Sequence, residues 1–342
     1  MKQVNICLIG FGNVSRAFVD LIEKKRGELR FGHDVEMKIT AVATGSHGRV
    51  IDHNGVNLKE ILETYLSGTK LDKISPTKAP SEIKKFIRES QAHFLLENSP
   101  VNYESGEPAI THIRSALESG IHAVSANKGP VAHAYNDLSA IARENNCQFL
   151  FESAVMDGAP IFSLFRDALP ASNVLGFVGI LNSCTNLLIE KMEEGQTFEE
   201  AIEFAQSIGI AETDPSGDID GWDAAIKVAA LSTVLMGIPL KPQQVERKGI
   251  RDLSQTEIQQ AVKDGGRYKL VCRAEKADEK ILASISPEIV ASNSPLYTVN
   301  GTSSFVLFKT DVLPGLGILE SNPGPETTAY GLLADILNIL KK

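Results

Sequence analysis

The chain has 342 residues, 43% of them hydrophobic and 23% charged, which is ample for a real core and for two domains. Its formal net charge of −9 argues against nucleic acid or an anionic membrane surface as the main partner. No apolar run is long enough to span a bilayer, so no membrane partner is expected. Cys7, Cys147, Cys184 and Cys272 stand far apart without metal-ligand spacing, as expected of thiols in a reducing cytoplasm.

The opening "MKQVNICLIGFG" reads as a strand entering a turn, not as a signal peptide, since no small-residue cleavage site follows a longer apolar core. "VNICLI", "GFGNVS" and "RAFVDLIEKKRGEL" predict strand, tight glycine turn and helix in succession. "KITAVATG", "AHFLLENSP", "HAVSANKGP" and "CQFLFESAV" follow as strands, with helices predicted at "SEIKKFIRES", "GEPAITHIRSALESG" and "YNDLSAIARENN". This alternation predicts an α/β, Rossmann-type parallel sheet over residues 1–150. Beyond it, "VLGFVGILN", "YKLVCRAEK", "KILASISPEIV" and "SSFVLFKTD" read as strands of a mixed or antiparallel sheet. Helices at "TFEEAIEFAQSIG", "DAAIKVAALSTVLMG" and "SQTEIQQAVKDG" make residues 151–315 a second, α+β domain. A last amphipathic helix, 316–342 with "ETTAYGLLADILNIL" as its clearest stretch, is expected to complete the first domain.

"GFGNVS" places Gly10 and Gly12 where the dinucleotide fingerprint has its first two glycines, and Ser15 where it has glycine or alanine. A tight turn followed by close backbone approach to a pyrophosphate at a helix N-terminus is the physical need such glycines meet. Gly10, Phe11, Gly12, Asn13 and Val14 are therefore expected to bind cofactor. The second strand ends "VATGSHGR", without the acid that would hold a ribose 2′-hydroxyl and with Ser46 and Arg49 nearby. NADP(H) is expected over NAD(H), against the alternative that Arg49 faces water.

Two lysines are awkwardly placed. Lys128 lies at the carboxyl end of a predicted parallel strand, the edge at which open α/β sheets bind ligands. Lys227 sits in "AAIKVAALSTVLMG", apolar on every face and hence a buried helix. An unpaired buried ammonium is costly, and Asp223 four residues earlier can pair with it. Sequence physics leaves two readings open: a structural Asp–Lys bridge, or a lysine tuned for proton transfer. Glu212, Asp214, Asp218 and Asp220 crowd the preceding loop, suiting either a cationic group of a ligand or plain solvation.

"GxGxV" at the first turn, "SANKGPVA", "LNSCTN", "GIAETDPSGDIDGWDAAIK" and "ETTAYGLLADIL" together resemble homoserine dehydrogenase, in order, over essentially the whole chain. The form resembled is the short one, without kinase or regulatory domains. The resemblance implies NAD(P)-dependent interconversion of L-aspartate 4-semialdehyde and L-homoserine, on the route to threonine and methionine, by a cytoplasmic homodimer paired through the second domain. It implies that Lys227 is the proton donor, with Lys128 as a second lysine near nicotinamide and substrate. Glu212 and Asp223 would hold the amino acid with support from Asp218, Gly209 and Gly324 would pack against cofactor or substrate, and Ser99 would contact the nicotinamide. "FESAVMDGAPI" resembles a hinge that binds a monovalent cation, Na⁺, through Glu152, Val155, Asp157 and Ala159.

Four positions depart from the family pattern: Ser15, the pair Ser183-Cys184, the glycine-poor "NPGPETT", and Asp157 in place of a small residue. The first three bear on cofactor affinity, cofactor choice and the amino-acid substrate. A related semialdehyde oxidoreductase is the first alternative, although an aspartate-semialdehyde dehydrogenase would need a nucleophilic cysteine with a histidine partner, and neither Cys147 nor Cys184 has one nearby. A non-catalytic nucleotide-binding relic is the second, disfavoured because such relics shed buried ionisable groups first.

Overall fold

The first apolar run forms strand β1 (Lys2–Ile9) in a computed structural model that describes residues 1–341. The glycine turn leads into α1 (Asn13–Lys24), and α2 (Arg26–His33) carries the chain to β2 (Val35–Ala43). Then come β3 (Arg49–Ile51), α3 (Leu58–Leu66), α4 (Ile83–Glu89), β4 (Phe94–Glu97), α5 (Ala109–Glu118), β5 (His122–Ser125), α6 (Lys128–Glu144) and β6 (Phe149–Leu150). The sheet order is β3-β2-β1-β4-β5-β6. All pairs are parallel except β2 with β3, a short antiparallel edge. Strand order reverses between β1 and β4, which makes the loops after these two strands the ligand-binding edge of this fold.

The strands read as continuous apolar runs because helices cover both faces. Ile6, Leu8, Phe18, Val42, Leu96 and Val124 are buried together with Leu332, Leu333 and Ile336 of the C-terminal helix. Each such side chain contributes about 2 kcal/mol when fully buried. By contacts the chain divides into Met1–Pro160 with Gly324–Lys342, and Ile161–Pro323.

The second unit is built from β7 (Val174–Ile180), α7 (Ser183–Glu193), α8 (Phe198–Ser207), α9 (Ser216–Ile219), α10 (Trp222–Leu235), β8 (Glu246–Arg247), α11 (Gln255–Lys263), β9 (Gly266–Ala277), β10 (Lys280–Ala291), β11 (Ser304–Thr310) and β12 (Leu316–Glu320). Its sheet runs β12-β11-β7-β9-β10-β8, antiparallel apart from the β10–β8 pair. α10 is buried nearly all round, as its composition predicts. The closing helix is α12 (Pro325–Leu340).

Several expectations need correction. The helix expected from residue 316 begins at Pro325, because Leu316–Glu320 pair with β11. The strand "CQFLFESAV" contracts to Phe149–Leu150, since the chain then turns at Glu152–Ala154 and the Glu152 N–H is taken by Asp335 Oδ2 at 2.8 Å. α3 and α7, which the sequence pattern leaves unmarked, are both helices capped by asparagine (Asn57 and Asn182). Among the described residues no helix is long and apolar enough to cross a membrane.

Candidate active site

Gly10 adopts φ +89°, and a Cβ there would meet the Asn98 carbonyl oxygen at 2.5 Å, so the loops after β1 and β4 touch only because residue 10 has no side chain. Gly12 caps α1 with no side-chain bond to the first-turn amides, and nothing lies within 4 Å of a Cβ built on it. Uncapped amides beside a bare backbone form a cradle that fits a pyrophosphate. Ser15, fully buried, accounts for its departure from glycine: its hydroxyl donates to the Gly10 carbonyl (2.8 Å) and accepts from Asn98 Nδ2 (3.0 Å), tying the two loops together. Phe11 is buried edge-on to Tyr65, Asn13 accepts from Arg16 at 2.6 Å, and Val14 packs against the core. A cavity of about 890 Å³ opens here, lined by Phe11, Asn13, Arg16, Leu58, Leu62 and Glu326 among others.

At the end of β2, Arg49 is tied to a neighbouring loop. Its guanidinium Nη1 donates to the carbonyls of Pro80 (2.8 Å) and Ser81 (2.7 Å), and the group lies 5.5 Å over the Phe86 ring. Ser46 is exposed and bonds His47 Nδ1 at 2.8 Å. The cation the structure brings to this turn is Lys70, whose ammonium donates to the Ser46 carbonyl, and Asp72 follows it, accepting the Arg49 N–H at 3.3 Å. No spacing rule in the sequence links residue 70 to residue 46.

At the ends of β4 and β5, the Ser99 hydroxyl donates to the buried Glu97 carboxylate. Lys128 is the first residue of α6, following its cap Asn127, whose Oδ1 accepts the Gly129 N–H at 2.9 Å. Gly324 caps α12 from an extended conformation.

In the second unit, Lys227 and Asp223 meet at 3.1 Å with side chains only 13% and 9% exposed. The ammonium also donates to the Leu181 carbonyl at 2.7 Å. Asn182, the cap of α7, turns its Nδ2 to Asp223 Oδ2 (2.9 Å) and to Asp218 Oδ1 (2.6 Å). Its Oδ1 takes the Thr185 N–H at 2.8 Å. Lys227, Asp223 and Asp218 are thus gathered around one amide that the sequence reading did not single out. An asparagine just before a helix was the available signal. Glu212 is not gathered: it is exposed, and its recorded bond is a main-chain carbonyl accepting from Gln206 Nε2. Gly209 ends α8 in the left-handed region at φ +74°.

All four cysteines are buried and free. Burial pushes every one of these thiols up, Cys7 and Cys272 to about 12, and for Cys184 the Asp218 carboxylate adds to burial. None is a candidate nucleophile. In the segment 151–161, Asp157 sits at φ +39° and its carboxylate accepts the Thr328 hydroxyl at 2.5 Å, a bond to α12. Glu152 is buried, and Val155 and Ala159 flank the same bend. No cluster of three or more His, Cys, Asp or Glu side chains suited to a metal occurs among the described residues.

Two family models match: the NAD-binding domain of homoserine dehydrogenase over residues 10–152, and homoserine dehydrogenase over residues 160–337. A Pseudomonas canavaninivorans protein named NAD(+)-dependent homoserine dehydrogenase is 33% identical over 99% of this chain and 97% of its own length. A homoserine dehydrogenase of Pyrococcus horikoshii is 34% identical over 99% of this chain and 98% of its own. The structure of a hyperthermophilic archaeal homoserine dehydrogenase in complex with NADPH is similar with TM-score 0.82 at 32% identity, covering 100% of this chain and 99% of that one.

Proposed function

The chain belongs to the homoserine dehydrogenase family, whose members are NAD(P)-dependent oxidoreductases, and from that premise we propose that it interconverts L-homoserine and L-aspartate 4-semialdehyde with Lys227 as the proton-transfer group. The observation that carries this reading is the Lys227–Asp223 pair, an ammonium withdrawn from water yet held beside a carboxylate. A nicotinamide cofactor, when bound, supplies or accepts the hydride.

In the reducing direction, the Lys227 ammonium gives a proton to the aldehyde oxygen as negative charge develops there; in the reverse direction, the neutral amine takes the proton of the substrate hydroxyl. The Leu181 carbonyl and Asp223 hold Nζ in one place, which lowers the cost of orienting the donor. Asp218 and Asp223, aimed by Asn182, present carboxylate oxygens to the α-ammonium of the amino acid, and Glu212 joins them from the exposed loop. Lys128 serves as the second lysine, next to nicotinamide and substrate. The backbone of Gly10 to Val14 receives the pyrophosphate, while Ser99 meets the nicotinamide.

NADP(H) remains the favoured cofactor, with Ser46 and Arg49, joined by Lys70, as the groups near a 2′-phosphate. The cation reading keeps Glu152 with the carbonyls of Val155, Asp157 and Ala159, an oxygen set suited to Na⁺, and the Asp157 side chain, bonded to Thr328, leaves its main-chain carbonyl to that set. The open face of the second sheet, where Leu282 is exposed beside a cavity of about 780 Å³, suits a homodimer contact.

The test is homoserine-dependent reduction of NADP⁺ and of NAD⁺ by the purified chain, beside phosphate-dependent oxidation of the semialdehyde. Turnover of homoserine with a higher kcat/KM for NADP⁺ is the expected result. Absence of homoserine turnover, or a requirement for phosphate, overturns the assignment.

A further inference from the structure

The carboxyl end of β4 holds a carboxylate that the reaction does not use. Glu97 is fully buried, and its Oε1 accepts three bonds: the Ser99 hydroxyl, the Ser99 N–H at 3.3 Å and His112 Nδ1 at 3.2 Å. Oε2 has no hydrogen-bond partner among the described residues. Burying a carboxyl group with half its capacity unmet is costly, so what Oε1 does must matter to the fold or to the site.

Ser99 is pinned from its other side as well. Asn127 Nδ2 donates to the Ser99 carbonyl at 3.0 Å, and the same side chain caps α6 through the Gly129 N–H. The Ser125 hydroxyl donates to the Glu97 carbonyl at 3.1 Å and accepts the Asn127 N–H at 3.0 Å. Glu97, Ser99, Asn127 and Ser125 therefore form one bonded frame that joins the turn after β4 to the start of the helix bearing Lys128.

A serine hydroxyl has one hydrogen to give and two lone pairs to receive with. A carboxylate oxygen cannot donate, so the contact with Glu97 commits the hydrogen of Ser99. What Ser99 Oγ presents outward is then an acceptor. We propose that Glu97 is a positioning residue that fixes the polarity of the Ser99 hydroxyl, so that Ser99 accepts a hydrogen bond from the carboxamide NH₂ of the nicotinamide and thereby selects ring orientation. This inference rests on the dinucleotide site proposed above.

The experiment is calorimetric titration of the chain with NADP⁺ and with its 3-acetylpyridine analogue, in which a methyl group replaces the carboxamide NH₂. The wild-type protein is expected to bind NADP⁺ about 5-fold more tightly than the analogue, the worth of one neutral hydrogen bond. Ser99→Ala should bring that ratio close to one, and Ser99→Thr, which keeps the hydroxyl, should retain it. Glu97→Ala should reduce the ratio while leaving Ser99 in place, a change that loss of packing alone does not produce because both dinucleotides fill the same space. An unchanged ratio in Ser99→Ala overturns the contact, and that variant, which removes a single oxygen, decides the matter even if Glu97→Ala does not fold. An unchanged ratio in a folded Glu97→Ala overturns the role of Glu97. A wild-type protein that binds neither dinucleotide sinks the cofactor site itself, a separate and recognisable failure.

Discussion

Lys227 on α10 and Lys269 on β9 are both withdrawn from water in the second unit, yet they face different partners. Lys227 meets the Asp223 carboxylate and one main-chain carbonyl. Among the described residues Lys269, 1% exposed, donates to neutral oxygens, Asn186 Oδ1 at 2.9 Å and the Val299 carbonyl at 2.5 Å. Burial, with Arg267 next to it, pushes the Lys269 ammonium down to about 8. Helix α7 links the two: Asn182 at its start reaches Asp218 and Asp223, while Asn186, one turn on, holds Lys269 and the carbonyls of Val299 (3.2 Å) and Gly301 (2.8 Å). A carboxylate partner favours the charged form and suits a lysine that must hand over a proton. Neutral partners make the other lysine a fastener between a helix and a loop. Burial alone therefore does not single out a lysine for proton transfer, and the role proposed for Lys227 rests on its carboxylate partner.

Substitution of each group should separate these roles. Lys227→Met is expected to lower kcat by about 10²- to 10⁴-fold with little change in KM for homoserine, the usual worth of a positioned acid–base group. A variant that keeps kcat would reduce Lys227 to a structural ion. Asp223→Asn leaves that ammonium buried without its charge partner, and chemical denaturation should register a loss of about 3 kcal/mol. A loss no larger than that of an exposed pair would mean water solvates the site more than its geometry implies.

The smallest effect belongs to Lys269→Met. In the folded protein Lys269 releases its proton near 8, against 10.5 for the ordinary side chain, so between those values the unfolded chain holds more protons. Wild-type stability should therefore rise with pH in that window, by at most about 1.4 kcal/mol per pH unit, relative to the methionine variant. Parallel stability curves for the two proteins would refute the contrast drawn here. Turnover of Lys269→Met near neutral pH should stay within a few-fold of wild type, because Lys269 touches α7 and not the reacting groups.

The same contrast explains what the sequence made legible. Lys227 stood out because its helix is apolar on every face, and Asp223 stood at a spacing that brings two helical side chains together. The glycine turn and the alternating strands of the first unit were equally readable, since backbone geometry dictates residue type there. Lys269 was invisible, because β9 is buried on both faces from Lys269 to Cys272 and has no alternation there against which an inward lysine shows. Asn182 was missed because a capping asparagine looks the same whether or not its amide also orients two carboxylates. The tie at Arg49 had no signal either, because the carbonyls it holds belong to Pro80 and Ser81, far along the chain. Contacts between distant loops have no local pattern, and in this molecule they decide which charges are available to a ligand.

The central claim is that Lys227 is the group that exchanges the proton, and the pH dependence of kcat/KM for homoserine oxidation tests it most directly. In the wild-type protein the rate should climb as the lysine loses its proton and becomes the base. Lys227→Met should be slow and should lack that climb, while cofactor binding measured by titration stays intact. An equal climb in the folded, cofactor-binding variant would place the base elsewhere and contradict the account.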